Sequence, residues 1–166
     1  MQERAVTAAG KRYDLPRPFF VLATQKPIEQ EGTYPLPEAQ LDRFMFNVNL
    51  DYPSIEEELL VVKNTTSNFN PELSTILTGE EILYFQQLVR RIPVPENVLQ
   101  YAVHLTAKTR PNTAHAAGIT NEYPSWGAGP LASQFLVVGA KCNAILNGKY
   151  SPDIEDVKAI APAILR

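Results

Sequence analysis

Five apolar residues stand in a row from Phe19 to Ala23, with no polar residue between them. A run without alternation is the pattern of a strand covered on both faces, as in a parallel sheet between helices, although a core helix shares it. Phe and Val favour the strand. Pro27 limits the run, because the residue before a proline is pushed out of the α region, leaving Lys26 extended. The spacing therefore predicts Thr24, Gln25 and Lys26 at the carboxyl end of a buried strand. In open α/β sheets that end faces the ligand crevice, which makes its polar side chains candidates for contact with phosphate or water. The plainer reading is that they hydrate the strand end.

Prolines exclude regular structure until Pro37, which suits the first turn of a helix running through Glu38, Ala39, Gln40 and Leu41 to Arg43. Arg43 then projects from a helix end, where a cation complements the helix dipole by a few tenths of a kcal/mol up to about 1. Upstream, Val6 and Thr7, the turn pair Ala9 and Gly10, and the return through Arg12, Tyr13 and Leu15 read as a hairpin. Lys11 and Arg12 near its tip are candidates for touching a substrate, against the commoner reading of a solvated turn. Downstream, Phe46, Val48 and Leu50 alternate with Asn47 and Asn49, the period of a half-buried strand.

The pattern changes at Asp51 to Ser54, which marks a boundary between residues 1–52 and 53–166. Capping boxes at Ser54 with Glu57 and at Thr78 with Glu81 open two helices. Apolar residues follow at helical spacing, Ile55, Leu59 and Val62 in the first and Ile82, Phe85, Val89 and Ile92 in the second. A third helix, after Pro95, carries Val98, Ala102 and Leu105. A fourth begins at Pro130 with Leu131, Phe135, Val138, Cys142 and Ile145 on one stripe and ends at Gly148. Ser151 and Pro152 start a last helix with Val157, Ile160 and Ile164. Residues Asn112 to Pro124 form a loop long enough to carry function.

The string ATQKPIEQEGTYPLPEAQLDRF, Ala23 to Phe44, resembles the MoxR branch of the AAA+ ATPases, and the similarity runs along essentially the whole chain. The resemblance implies the end of a nucleotide-binding α/β core (a β-hairpin, two core strands and a short helix, residues 1–52) followed by an all-α lid of about five helices, residues 53–166. It implies that Thr24, Gln25 and Lys26 hold the first-sensor position, which contacts the γ-phosphate and orients the attacking water. Arg43 corresponds to the arginine finger, which reaches the nucleotide of a neighbouring subunit in a ring, read as hexameric from the family. Such a finger contributes several orders of magnitude to phosphoryl transfer. ATP and Mg²⁺ are the implied cofactors. Partners implied are further copies of the chain and von Willebrand factor A domain proteins, in a chaperone-like remodelling or activating role.

Two positions depart from the family pattern. Lys26 stands where asparagine is usual, and a donor-only ammonium holds phosphate but orients water poorly. WGAGPLAS, Trp126 to Ser133, resembles the second-sensor motif, in which Gly129 precedes the helix and an arginine normally follows Pro130. Leu131 occupies that place and cannot donate to phosphate. Lys141, almost three turns further along, is a poor substitute. There is no G-x-x-x-x-G-K-[ST] loop and no strand ending in an Asp-Glu pair for Mg²⁺. By the resemblance both precede residue 1, which makes the chain the carboxyl-terminal part of a longer ATPase.

Composition narrows the alternatives. With 166 residues, 45% of them hydrophobic, the chain can bury a real core. No stretch approaches eighteen consecutive apolar residues and MQERAVTAAG has no signal-peptide core, so a cytoplasmic setting without membrane contact is expected. Cys142, the single cysteine, has no partner for a disulfide, and His104 and His115 lack a second ligand at helical spacing, so no metal site is expected. Six basic residues balance six acidic ones in residues 1–50, and nine face twelve in the remainder, giving a net charge of −3. Neither part is a basic nucleic-acid surface. Two rivals to the ATPase reading stand: a non-catalytic, degenerate AAA+ interaction module, and a hairpin that binds nucleic acid.

Overall fold

The structure, a computed structural model, describes residues 5–25, 38–68, 70–122 and 126–165. Strand β1 (Ala5–Ala8) pairs antiparallel with β2 (Lys11–Asp14), with Ala5 opposite Asp14 and Ala8 opposite Lys11. Ala9 and Gly10 both take positive φ, 50° and 75°. That pair of angles makes the two-residue loop whose twist matches the strands it joins. The expected hairpin is therefore present, followed by a single short turn of helix, α1 (Glu38–Leu41).

Five α-helices follow: α2 (Ile55–Thr65), α3 (Gly79–Arg91), α4 (Glu96–Lys108), α5 (Pro130–Leu146) and α6 (Ile154–Ile164). A small hairpin with a helical lid behind it is thus the architecture of the chain. Three helices start on the same device: the side chains of Ser54, Thr78 and Asp153 each accept a backbone N–H three residues on, and Glu57, Glu81 and Asp156 reach back to the cap's own N–H. Each pair satisfies two donors that a helix start leaves without an internal partner.

The core lies where α4, α5 and α6 meet. Val98 and Ala102 from α4, Leu136 and Ala140 from α5, and Val157 from α6 form its centre, flanked by Tyr101, Leu105, Ile160 and Ile164. The stripe that α5 buries is Ala132, Leu136, Ala140 and Ala144, with Gly139 beside it. It lies one residue round from the stripe of Leu131, Phe135 and Val138 expected from residue size. Small side chains face the seam because they let the helices approach. A methyl at Gly139 would lie 2.4 Å from Ile160 Cδ1 and 3.4 Å from Met45 Cε.

The two core strands expected around residues 19–23 and 46–50 are absent. β1 and β2 form the sole sheet among the described residues, and they pair only with each other. Phe20 is 84% exposed, Leu22 83% and Leu50 93%. An apolar run carries the pattern of a buried strand, but ladder bonds and covering faces must come from neighbours, and no described segment supplies them. Phe19 instead leans on α3, where Pro18, Phe19, Phe20, Ile82 and Gln86 line a shallow groove of about 250 Å³. Helix α2 likewise buries none of its residues.

Candidate functional site

Arg43 lies two residues beyond α1, in a tight turn rather than in the helix's last turn. Its N–H donates to Gln40 O at 3.2 Å, and Phe44 N–H donates to Leu41 O at 2.9 Å. Phe44 and Met45 are partly buried, while Asp42 and Arg43 are exposed. The following residues are fastened to the helical part. Met45 reaches the α5–α6 seam at Gly139, and Asn47 N–H donates to Ala163 O of α6 at 2.7 Å. The guanidinium is therefore held outward beside an anchored segment.

The start of α5 sits close to this turn. Gly129 is its N-cap, with φ −74° and ψ 175° and no side-chain cap, and Pro130 fills the first helical position. A methyl at Gly129 would lie 3.9 Å from each carboxylate oxygen of Asp42. The backbone just before it is clamped to the end of α4, where Arg110 Nε donates to Ala128 O at 2.9 Å and Ala128 N–H donates to Thr109 Oγ1 at 3.0 Å. Gly127 makes this clamp possible, since a Cβ there would stand 2.4 Å from the Arg110 Cα and 2.6 Å from the Thr109 carbonyl oxygen. Leu131 is partly buried. Lys141 donates from Nζ to Arg90 O at the end of α3, 3.3 Å away, and is committed there.

Thr24 and Gln25 are exposed and outside any strand, and Lys26 lies outside the described residues. The structure thus brings Arg43 and Gly129 into one neighbourhood through Asp42. Asp42, Thr109 and Arg110 belong to that neighbourhood and were not singled out from the sequence. The contact between Arg110 and Ala128 spans eighteen residues, and no local pattern announces it.

The other candidates are engaged elsewhere. Arg12 Nε pairs with Asp14 at 3.2 Å, and Lys11 sits over the Tyr13 ring at 5.5 Å. His104 and His115 come within 6.3 Å, ring centre to ring centre, but no three His, Cys, Asp or Glu side chains converge among the described residues. Burial pushes the Cys142 thiol pKa up, away from thiolate chemistry. The long loop folds back on α4 through a 3₁₀ turn, Gly118–Asn121, in which the Thr120 hydroxyl donates to Lys108 O at 2.8 Å. No helix among the described residues is long and apolar enough to cross a membrane.

Known proteins resemble this chain in sequence and in fold. A family described as "ATPase family associated with various cellular activities (AAA)" matches residues 1–46. Chaperone MoxR1 of Mycobacterium tuberculosis is 36% identical over 166 residues, covering 100% of this chain and 44% of that protein. At family level the chain matches the MoxR-like AAA+ ATPases. Protein MoxR of Methylorubrum extorquens is 28% identical over 176 residues, 99% of this chain and 51% of its own. The crystal structure of a candidate ATPase from Cytophaga hutchinsonii superposes with a TM-score of 0.87 at 37% identity, covering 99% of this chain and 50% of that one. The chain therefore spans about half the length of the MoxR-like relatives it matches.

Proposed function

We propose that the chain is the finger-bearing and lid portion of a MoxR-type ATPase that couples ATP binding and hydrolysis to chaperone-like remodelling of partner proteins. The observation that carries this reading is Arg43: an exposed guanidinium on a turn anchored to the lid, in a chain that matches MoxR-like proteins from end to end. In a ring, hexameric by resemblance, Arg43 donates to the γ-phosphate bound by the neighbouring copy and stabilises the charge that builds up during transfer to water. Partners include von Willebrand factor A domain proteins. ATP with Mg²⁺ supplies the phosphoanhydride that is cleaved.

For the nucleotide, Arg43 has the donor set a phosphoryl group requires. Thr24 and Gln25, with Lys26 beside them, are the first-sensor residues; they add hydroxyl, amide and ammonium donors. Gly129, at the start of α5 beside Asp42, offers backbone only, and Leu131 contributes no donor. Among the described residues no three His, Cys, Asp or Glu side chains converge, and this reading assigns none of them to Mg²⁺.

The deciding experiment is Arg43→Ala in the full-length polypeptide. ATP turnover should fall by about a thousandfold or more while nucleotide affinity stays within about twofold. Unchanged turnover would refute the finger assignment. A wild-type polypeptide that assembles yet hydrolyses nothing would favour the non-catalytic module, the reading to which Lys26 and Leu131 point.

A further inference from the structure

We infer that Asp42 is a positioning residue that seats the Arg43 turn against the amino terminus of α5, so that the finger is carried by the lid. The inference rests on reading Arg43 as the finger. One close approach, one packed side chain and one hydrogen bond within six residues support it. The carboxylate of Asp42 faces Gly129 with both oxygens equidistant, 3.9 Å from the position a methyl would take there. Met45 inserts at Gly139, 3.4 Å from the corresponding point, and Asn47 N–H donates to Ala163 O.

The choice of Asp at this position has a physical cause. α5 is 17 residues long and begins on a glycine with no side-chain cap. Its first N–H groups carry partial positive charge that an adjacent carboxylate complements. The surface that receives Asp42 is itself fixed, since Arg110 and Thr109 tie Ala128 to the end of α4. Asp42 is the residue directly before Arg43, so holding its side chain restricts the Arg43 backbone. Rotation of the lid then moves the guanidinium with it.

The test compares Asp42→Asn, Asp42→Glu and Arg43→Ala by two readouts. Amide exchange of residues 41–47 in the 166-residue chain reports the contact. Steady-state ATPase kinetics of the full-length polypeptide report its use. Asp42→Asn should speed exchange several-fold, whereas Arg43→Ala should not. The same variant should lower kcat by about tenfold to a hundredfold with KM for ATP unchanged, the signature of a misplaced group, and Asp42→Glu should recover part of the loss. Unchanged exchange overturns the proposal, and so does faster exchange with normal kcat when Arg43→Ala is inactive. Full turnover in Arg43→Ala strikes at the finger assignment instead, and the exchange data still decide whether Asp42 holds the turn.

Discussion

Gly127 shows how a single residue fixes the candidate site. Its missing side chain lets the backbone before α5 lie against the backbone of Thr109 and Arg110, and backbone atoms cannot rotate away as a side chain tip can. Gly127→Ala should therefore cost at least the roughly 1–3 kcal/mol of an overpacked site, read as a lower urea midpoint. Charged residues behave differently. Lys149 Nζ lies 2.9 Å from Asp153 and 3.1 Å from Asp156, bonds that raise the lysine pKa. Lys149 first and the Asp156 backbone N–H second lower the Asp153 carboxyl below its ordinary 3.8. The Asp153 contribution to stability is thus complete above pH 3.8 and is lost as pH falls through the lowered native value. The Lys149 contribution is complete below pH 10.5 and is lost as pH rises through the raised one. Lys149→Met should flatten the acid limb of a plot of Tm against pH, most clearly at low salt, since Lys149 and Asp153 are solvent-facing and screened.

Among the elements, helix starts were legible because a capping box is local: Ser54 and Glu57, or Thr78 and Glu81, meet within one turn. Ser54→Ala removes such a cap from α2, which buries nothing, so the loss of about 1 kcal/mol should appear as faster amide exchange in α2 alone. The Tm of the α4–α5–α6 core should not move. Strands at 19–23 and 46–50 were not legible in the same way. Their apolar pattern is genuine, but pairing is a property of two segments, and the hairpin satisfies only its own. The buried stripe of α5 lies one residue round from the expected stripe of Leu131, Phe135, Val138, Cys142 and Ile145. At the close seam with α6, Ala140, Ala144 and Gly139 are what fits. Arg43 was expected at the end of the helix itself and lies two residues beyond it, exposed in a turn, whereas the Asp42 and Arg110 contacts needed the third dimension.

For the molecule as a whole, the described residues pair an anchored, exposed arginine with extended apolar segments and a helix that has no cover. The MoxR-like relatives are about twice as long, and under the function proposed above the phosphate-binding loop and Mg²⁺ ligands lie outside these 166 residues. The 166-residue chain by itself should then hydrolyse no ATP and bind it at most weakly. Titration calorimetry checks this: micromolar affinity for this polypeptide would mean that its own residues form a nucleotide pocket, contrary to the division of labour proposed here.

Asn47 and Ala163 are joined by one backbone bond, yet they stand 116 residues apart in sequence. Trimming the final helical turn, or fusing a bulky tag to it, would cut the mooring of a segment that begins far upstream. A label near the hairpin tip, where Ala9 and Gly10 face solvent, leaves that mooring untouched.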